Sequence, residues 1–244
     1  MALSQTASGA FRTTHWTVVL KAALPDGDGG KAAFAQLYLD YWPPLYAYVR
    51  RRGSSPEEAE DITQDFFTRL LEKQSLSGLR REGGRFRSFL LGAMANFLAD
   101  EWDRTQTQKR GSGRKPLSLD AEDGEARFQA LAIAGELTPE SVFEKQWAVM
   151  LLEHVAEQLR AEEVKSGKGD LFEDLQPHLQ SDRAGLPYAE IATRNGTSEG
   201  AIKVAVHRLR HRYGQHLREQ IARTVSSPAE VDEELRHLIK VMRG

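Results

Sequence analysis

The sequence predicts an all-α protein: two small helical modules joined by a flexible linker, the second containing a helix-turn-helix. Three observations predict it. Apolar residues recur at helical spacing in every strongly patterned stretch. No alternating run of five or more residues is present, and no Asn-Gly or Asp-Gly pair joins two such runs. Helix-start signals are complete. Ser55-Pro56-Glu57-Glu58 and Ser227-Pro228-Ala229-Glu230 are capping boxes with proline at the first helical position, and Thr138-Pro139-Glu140 joins a cap to a proline.

Taken in order, residues 1–30 form an N-terminal extension with a short helix, Thr14 to Leu24, whose Trp16, Val19, Leu20 and Ala23 share one side. The first module spans 31–104. Its opening helix, Lys31 to Arg52, places Phe34, Leu37, Tyr38, Tyr41, Leu45, Tyr48 and Val49 at helical spacing, and Pro43-Pro44 should break or kink it. From Pro56 to Glu72 a second helix carries the apolar stripe Ala59, Ile62, Phe66, Phe67, Leu70 and Leu71. A glycine-rich, basic loop from Ser77 to Gly84 leads to a helix over Arg85–Arg104, with Phe86, Phe89, Leu90, Ala93 and Phe97 on its buried side.

Residues 105–137 shift to Gly, Ser, Thr, Gln and charge, and only a short apolar patch, Phe128 to Ala134, interrupts them. This is the predicted linker. The second module, 138–225, opens with Phe143, Trp147, Leu151, Val155 and Leu159 on one stripe. At 187–213 the spacing fits a helix-turn-helix. Ile191 and Ala192 pack the first helix, Gly196 suits a turn with positive φ, Thr197 and Ser198 supply a cap, and Ile202, Ala205 and Leu209 anchor the second helix. A C-terminal amphipathic helix, 226–244, aligns Val231, Leu235, Leu238, Ile239 and Met242. That stripe must be buried on the second module or on a partner, and packing within the chain, on the second module, is the expectation.

Charge is segregated rather than absent. The net charge of -2 over 244 residues conceals five bases and no acid from Arg104 to Lys115. Arg194 to Arg218 holds six Lys/Arg, three His and one acid, Glu199, whereas Glu57 to Asp65 holds five carboxylates and no base. Two patches of opposite sign suit two different partners. The basic face of the helix-turn-helix (Glu199, Lys203, His207, Arg208, Arg210, Arg212) suits DNA, with its N-terminal half near base edges and its later arginines on phosphates. An acidic helix face repels phosphate and meets solvent or a basic protein.

Several classes are disfavoured. There is no cysteine, so no disulfide or thiolate site is expected. The seven histidines show no metal spacing, and neither a Walker loop nor a GxSxG elbow is present. No enzyme, catalytic residue, metal or cofactor is expected. No apolar run approaches the ~18 residues of a membrane span, and the start, Met1 to Thr14, lacks a secretory pattern, so the expectation is a cytoplasmic protein with no membrane partner.

The run Glu58-Ala59-Glu60-Asp61-Ile62-Thr63-Gln64-Asp65-Phe66-Phe67 resembles the sigma factor segment that docks on the clamp helices of the RNA polymerase beta-prime subunit. Phe86-Arg87-Ser88-Phe89-Leu90 through Asn96 and Asp100 resembles the family's melting and minus-10 helix, and Tyr188 to Arg212 its minus-35 helix-turn-helix. By these three resemblances in order the chain is identified as a member of the extracytoplasmic-function sigma factors. The resemblance implies a region-two-like module at 31–104 and a region-four-like module at 138–225. It implies core polymerase contacts through Glu60, Asp61, Gln64 and Asp65. It further implies minus-10 contacts through Arg80, Arg81, Arg85, Asn96, Asp100 and Arg104, with Asn96 and the loop Leu79 to Arg85 taking a flipped base. Minus-35 contacts would come from Ser198, Lys203, His207, Arg208 and Arg210. Core RNA polymerase and promoter DNA are the implied partners, and family members are often held by an anti-sigma factor or other regulator. The sequence departs from the family at Phe89, where tryptophan is common, at Gly92 and Asp103, and in the long stretch Arg160 to Gly185. The alternative is a one-component helix-turn-helix regulator independent of polymerase, which leaves the acidic helix and the Phe86 to Asp100 pattern unexplained.

Overall fold

The computed structural model describes residues 16–23, 28–72, 76, 79, 85–105, 119–132, 137–179 and 185–243. Among them are ten α-helices and no strand: α1 Trp16–Ala22, α2 Asp28–Arg51, α3 Pro56–Glu72, α4 Phe86–Thr105, α5 Leu119–Ala132, α6 Pro139–Lys165, α7 Gly169–Leu175, α8 Tyr188–Arg194, α9 Glu199–Ala222 and α10 Val231–Arg243. Two compact units emerge, one running to Met150 and resuming at Ala222, the other Leu151–Ile221. The division expected from composition, at 105–137, differs from this one. It falls instead within α6 and near the end of α9.

The larger unit is built on α2. Helix α2 runs unbroken through Pro43 and Pro44, where a break or kink was expected. Two N–H donors are lost there, but Tyr41, Trp42, Leu45, Tyr46, Tyr48 and Val49 are all buried around the prolines. Burial on nearly every side outweighs the local cost of the two prolines. Trp42 stacks on Tyr46 with ring centroids 4.8 Å apart, and Tyr41 meets Phe86 edge-on at 5.4 Å. Trp16 and Val19 of α1 are buried, and Trp16 also meets Phe86 edge-on.

Helix α5 occupies part of the predicted linker. Its Ala121 and Phe128 are buried, and Gly124 lets it approach α2 closely, since a Cβ there would lie 2.6 Å from the Trp42 ring. Glu125 then accepts hydrogen bonds from Arg50 Nε at 2.7 Å, Arg50 Nη2 at 2.9 Å and Tyr46 Oη at 2.7 Å. The Arg50 guanidinium also lies over the Phe128 ring at 5.0 Å. Composition concealed this helix because only one face of it is apolar and its tie to α2 is ionic.

Helix α10 departs from its apolar stripe. Val231 and Leu238 are buried as expected, yet Ile239 is 50% and Met242 37% exposed while Glu234 is 0% exposed. The helix is turned so that a carboxylate faces inward. It packs within the larger unit, against the start of α4, where Glu234 makes ion pairs with Arg85 at 2.8 Å and with Arg87. Its entry also differs from the expected box: Pro228–Glu230 forms a 3-10 turn, and Glu230 reaches back to accept from the Ser226 N–H and the Ser227 hydroxyl.

The smaller unit carries the helix-turn-helix on a core of Leu159, Phe172, Leu175, Ile191, Ile202 and Leu209. Gly196 has φ 61°, as the turn requires, and the Thr197 N–H closes on the Ala192 carbonyl at 2.9 Å. The long stretch after Arg160 belongs to this core, through α7 and the 3-10 turn Gln176–Leu179, which bury Phe172, Leu175 and His178.

The α2–α5 tie has a pH signature. Its hydrogen bonds to Arg50, working against burial, hold the Glu125 carboxyl down at about 2. A depressed carboxylate contributes stability above the ordinary carboxylate range and loses it as pH falls through about 4.5 toward 2. Glu125→Gln should therefore lower the melting temperature at pH 7, with the gap to wild type closing as pH falls from roughly 5 to about 2. A gap constant across that range in thermal melts would remove the carboxylate charge from the account.

Candidate nucleic-acid interface

Helix α3 is fixed at its start by a reciprocal box. The Ser55 N–H donates to Glu58 Oε2 at 2.8 Å, and the Glu58 N–H donates to Ser55 Oγ at 3.2 Å. Ala59, Thr63, Phe66, Phe67 and Leu70 turn inward. Thr63 takes the buried place the periodicity assigned to Ile62, and Leu71 is 56% exposed. The hydroxyl of Thr63 is accommodated by donating to the Ala59 carbonyl at 2.7 Å.

The opposite side presents Asp61, Gln64 and Asp65 to solvent, with Glu60 half-buried beside them. Partial burial, together with Asp61 and Glu101 nearby, raises the Asp65 carboxyl above its ordinary value. Crowded carboxylates repel, and a cationic partner relieves them. A face of this charge repels phosphate.

Between α3 and α4 lies a groove of about 270 Å³. Phe66, Leu70, Phe89 and Phe97 supply its apolar lining, and Asn96 and Asp100 its polar part. Aromatic faces beside a side-chain amide are what an unstacked base needs: a surface to stack on and a hydrogen-bonding edge. Asn96 is exposed and available. Asp100 is engaged instead, accepting from Arg69 Nη2 at 2.8 Å, while the Arg69 guanidinium lies over the Phe97 ring at 5.5 Å. The sequence reading missed Arg69. Its signal was a lone base, one turn beyond Asp65, on an otherwise acidic helix.

Arg85 does not stand free for phosphate, because its Nε is paired with Glu234. Neighbouring Arg87 is 2% exposed, pairs with Glu144 at 2.9 Å and with Glu234, and lies 4.4 Å over the Trp147 ring. Burial alone would pull its guanidinium down, but Glu144 and Glu234 outweigh that and hold it above its ordinary value. Arg80, Arg81 and the Arg104 side chain lie outside the described residues, as does most of the loop from Leu79 to Arg85.

On the helix-turn-helix, Ser198, Lys203, His207 and Arg208 are all exposed along the first turns of α9. The Ser198 hydroxyl accepts the Ala201 N–H at 3.2 Å, and Lys203 pairs with Glu199 at 2.7 Å. Two arginines of the predicted face are turned to structural use. Arg210 donates from Nε to the His178 carbonyl at 2.9 Å, and Arg212 pairs with Glu162 at 2.6 Å and with Glu163. The Arg160 to Gly185 stretch supplies those partners, and its length in sequence gave no hint of them.

Residues 37–108 match the family model for Sigma-70 region 2. The match supports a place in the sigma factor family and implies the function of an RNA polymerase sigma factor. It spans most of α2, the whole of α3 and α4, and so both the acidic face and the groove. No curated protein and no solved structure matches the chain. No helix among the described residues is long and apolar enough to cross a membrane.

Arg208 and Arg210 should separate in experiment. Arg210→Ala leaves the His178 carbonyl without its donor and should cost about 1–3 kcal/mol, with faster amide exchange across 176–179. Arg208→Ala, at an exposed site, should stay within about 0.5 kcal/mol. Urea unfolding of both variants checks this, and equal losses would contradict the division of roles.

Proposed function

We propose that the chain is an extracytoplasmic-function sigma factor that brings core RNA polymerase to promoters through a minus-10 and a minus-35 element. The carrying observation is the coincidence of the Sigma-70 region 2 match with an acidic face and an adjoining aromatic groove. In this reading 31–104 is the region-two-like module. Asp61, Gln64 and Asp65, with Glu60 beside them, dock on the basic clamp helices of the beta-prime subunit. Their mutual repulsion favours that partner, since a lysine or arginine set among them lowers the charge density of the face.

The groove takes a base of the non-template strand. Unstacking a base costs a few kcal/mol, and stacking on Phe89 together with hydrogen bonds to Asn96 returns part of it. Phe89 stands where tryptophan is common in the family and supplies a smaller face for the same purpose. The helix-turn-helix at 187–213 reads an upstream duplex element, with Lys203, His207 and Arg208 toward base edges and Ser198 at the start of the helix. Arg85, Asp100 and Arg210 act by holding the reading helices in place. An anti-sigma factor or other regulator remains a partner of the class rather than of any surface identified in this chain.

Asp61→Arg combined with Gln64→Ala should weaken core binding at least tenfold while leaving the melting temperature nearly unchanged, because both sites are exposed. A double variant that retains wild-type affinity in core pull-downs would refute the docking assignment.

The two DNA-reading parts should fail separately. Lys203→Glu should abolish dependence on the upstream element and keep core binding. Asn96→Ala should flatten preference among minus-10 variants by roughly 5- to 150-fold, the worth of one good base contact at about 1–3 kcal/mol. That loss should persist on a template already melted across the element, since melting supplies strand separation but no side chain. Initiation rates on duplex and bubble templates decide it, and full base preference for Asn96→Ala on the bubble would remove the flipped-base role.

A further inference from the structure

We infer that the C-terminal helix is a positioning element for the promoter-reading helix, with Glu234 as the residue through which it acts. The inference rests on the reading of α4 as that helix.

The geometry is one of opposite faces. Near the start of α4, Arg85 and Arg87 both direct guanidinium groups at the fully buried Glu234 carboxylate. Arg87 is held further by Glu144 and by the Trp147 face, and His237 of α10 reaches the same Glu144 at 3.3 Å. An α-helix turns ~100° per residue. Phe89, two residues beyond Arg87, therefore stands ~200° around the axis, and Asn96, nine residues beyond, ~180° around it. Both reading residues lie on the side of α4 opposite the clamp. Fixing Arg87 on one face thus fixes the rotation at which Phe89 and Asn96 enter the groove on the other.

The tie is permanent and not a latch. Arg87 and Glu234 are 2% and 0% exposed, and withdrawing either leaves the other as a buried charge short of a counterion. A switch that opened in each round of initiation would have to bear that cost every time. An exposed pair such as Arg69 with Asp100 would suit switching far better.

Orientation matters because a base must meet both an aromatic face and an amide, and misplacement by ~1 Å can cost on the order of a hundredfold. Loss of the Glu234 charge should therefore appear as lost discrimination and not merely as lost stability. The test uses the full chain with Glu234→Gln, and Leu238→Ala as a control. Leu238 is a buried residue of the same helix whose side chain carries no charge to the clamp.

Two readouts are taken below both melting temperatures. In the free chain, amide exchange over residues 86–90 should rise at least tenfold for Glu234→Gln and stay near wild type for Leu238→Ala. With core polymerase, preference among minus-10 variants on bubble templates should fall about tenfold for Glu234→Gln, with core affinity kept. Leu238→Ala should keep the preference. The inference is overturned if Glu234→Gln keeps wild-type exchange and preference, if Leu238→Ala loses as much, or if Glu234→Gln initiates faster than wild type. Wild type that gives no start-specific initiation would instead defeat the sigma factor reading, and the exchange result would still decide whether Glu234 fixes the start of α4.

Discussion

A buried guanidinium organises the larger unit. Arg87 cannot lose its proton, so once the Phe86–Leu90 turn is packed inward its charge must be met there. Glu144 from α6, Glu234 from α10 and the face of Trp147 meet it. Each of those residues is then constrained in turn. Trp147 must lie flat beneath the guanidinium, α6 must start where Glu144 reaches it, and α10 must turn Glu234 inward at the expense of exposing Ile239. An apolar trio of the same volume could hold these helices together as well or better. What the charges add is direction, since ion pairs fix the rotation and register of a helix where grease tolerates slippage.

The other side of the unit answers a different problem. Helix α2 is apolar around most of its circumference and carries two successive prolines, so it is a poor helix in isolation. It persists because α3 and α4 meet it with aromatic contacts, because α1 and α5 pack along it, and because Glu125 clamps Arg50 and Tyr46. Burial beside Glu125 raises the Tyr46 hydroxyl well above its ordinary range, which keeps it a donor to that carboxylate at any physiological pH. The groove between α3 and α4 therefore rests on a scaffold whose own stability is largely tertiary.

The elements that declared themselves in the sequence are those whose local signals and tertiary fate agree. The Ser55 box, the Phe143 to Leu159 stripe and the Ala192-Gly196-Ile202 spacing all translate directly into structure, because capping, periodicity and a positive φ are decided within a few residues. Long-range partnership is what escaped. Nothing near Arg85, Asp100 or Arg210 reveals that Glu234, Arg69 and the His178 carbonyl will claim them, at separations of up to more than a hundred residues. The same blindness affected α10, where an apolar stripe was weighed by hydropathy alone and a buried carboxylate had no place. Helix α5 was lost to its polar composition. Of the candidate site, Asn96, Lys203, His207 and Arg208 stand exposed where the pattern put them, whereas Arg85, Arg210 and Arg212 are turned to structural use.

The division of the chain has a kinetic consequence. The larger unit is discontinuous, because residues 151–221 are spoken between its two parts. On a ribosome adding roughly 5–20 residues per second, Arg87 emerges on the order of ten seconds before Glu234 exists. Through that interval the start of α4 carries a charge it cannot yet fully pair, and the nascent larger unit waits on α10 to close. Truncated chains released early would share that defect. Closure of the larger unit around Arg87 is thereby deferred until the chain has passed Glu234.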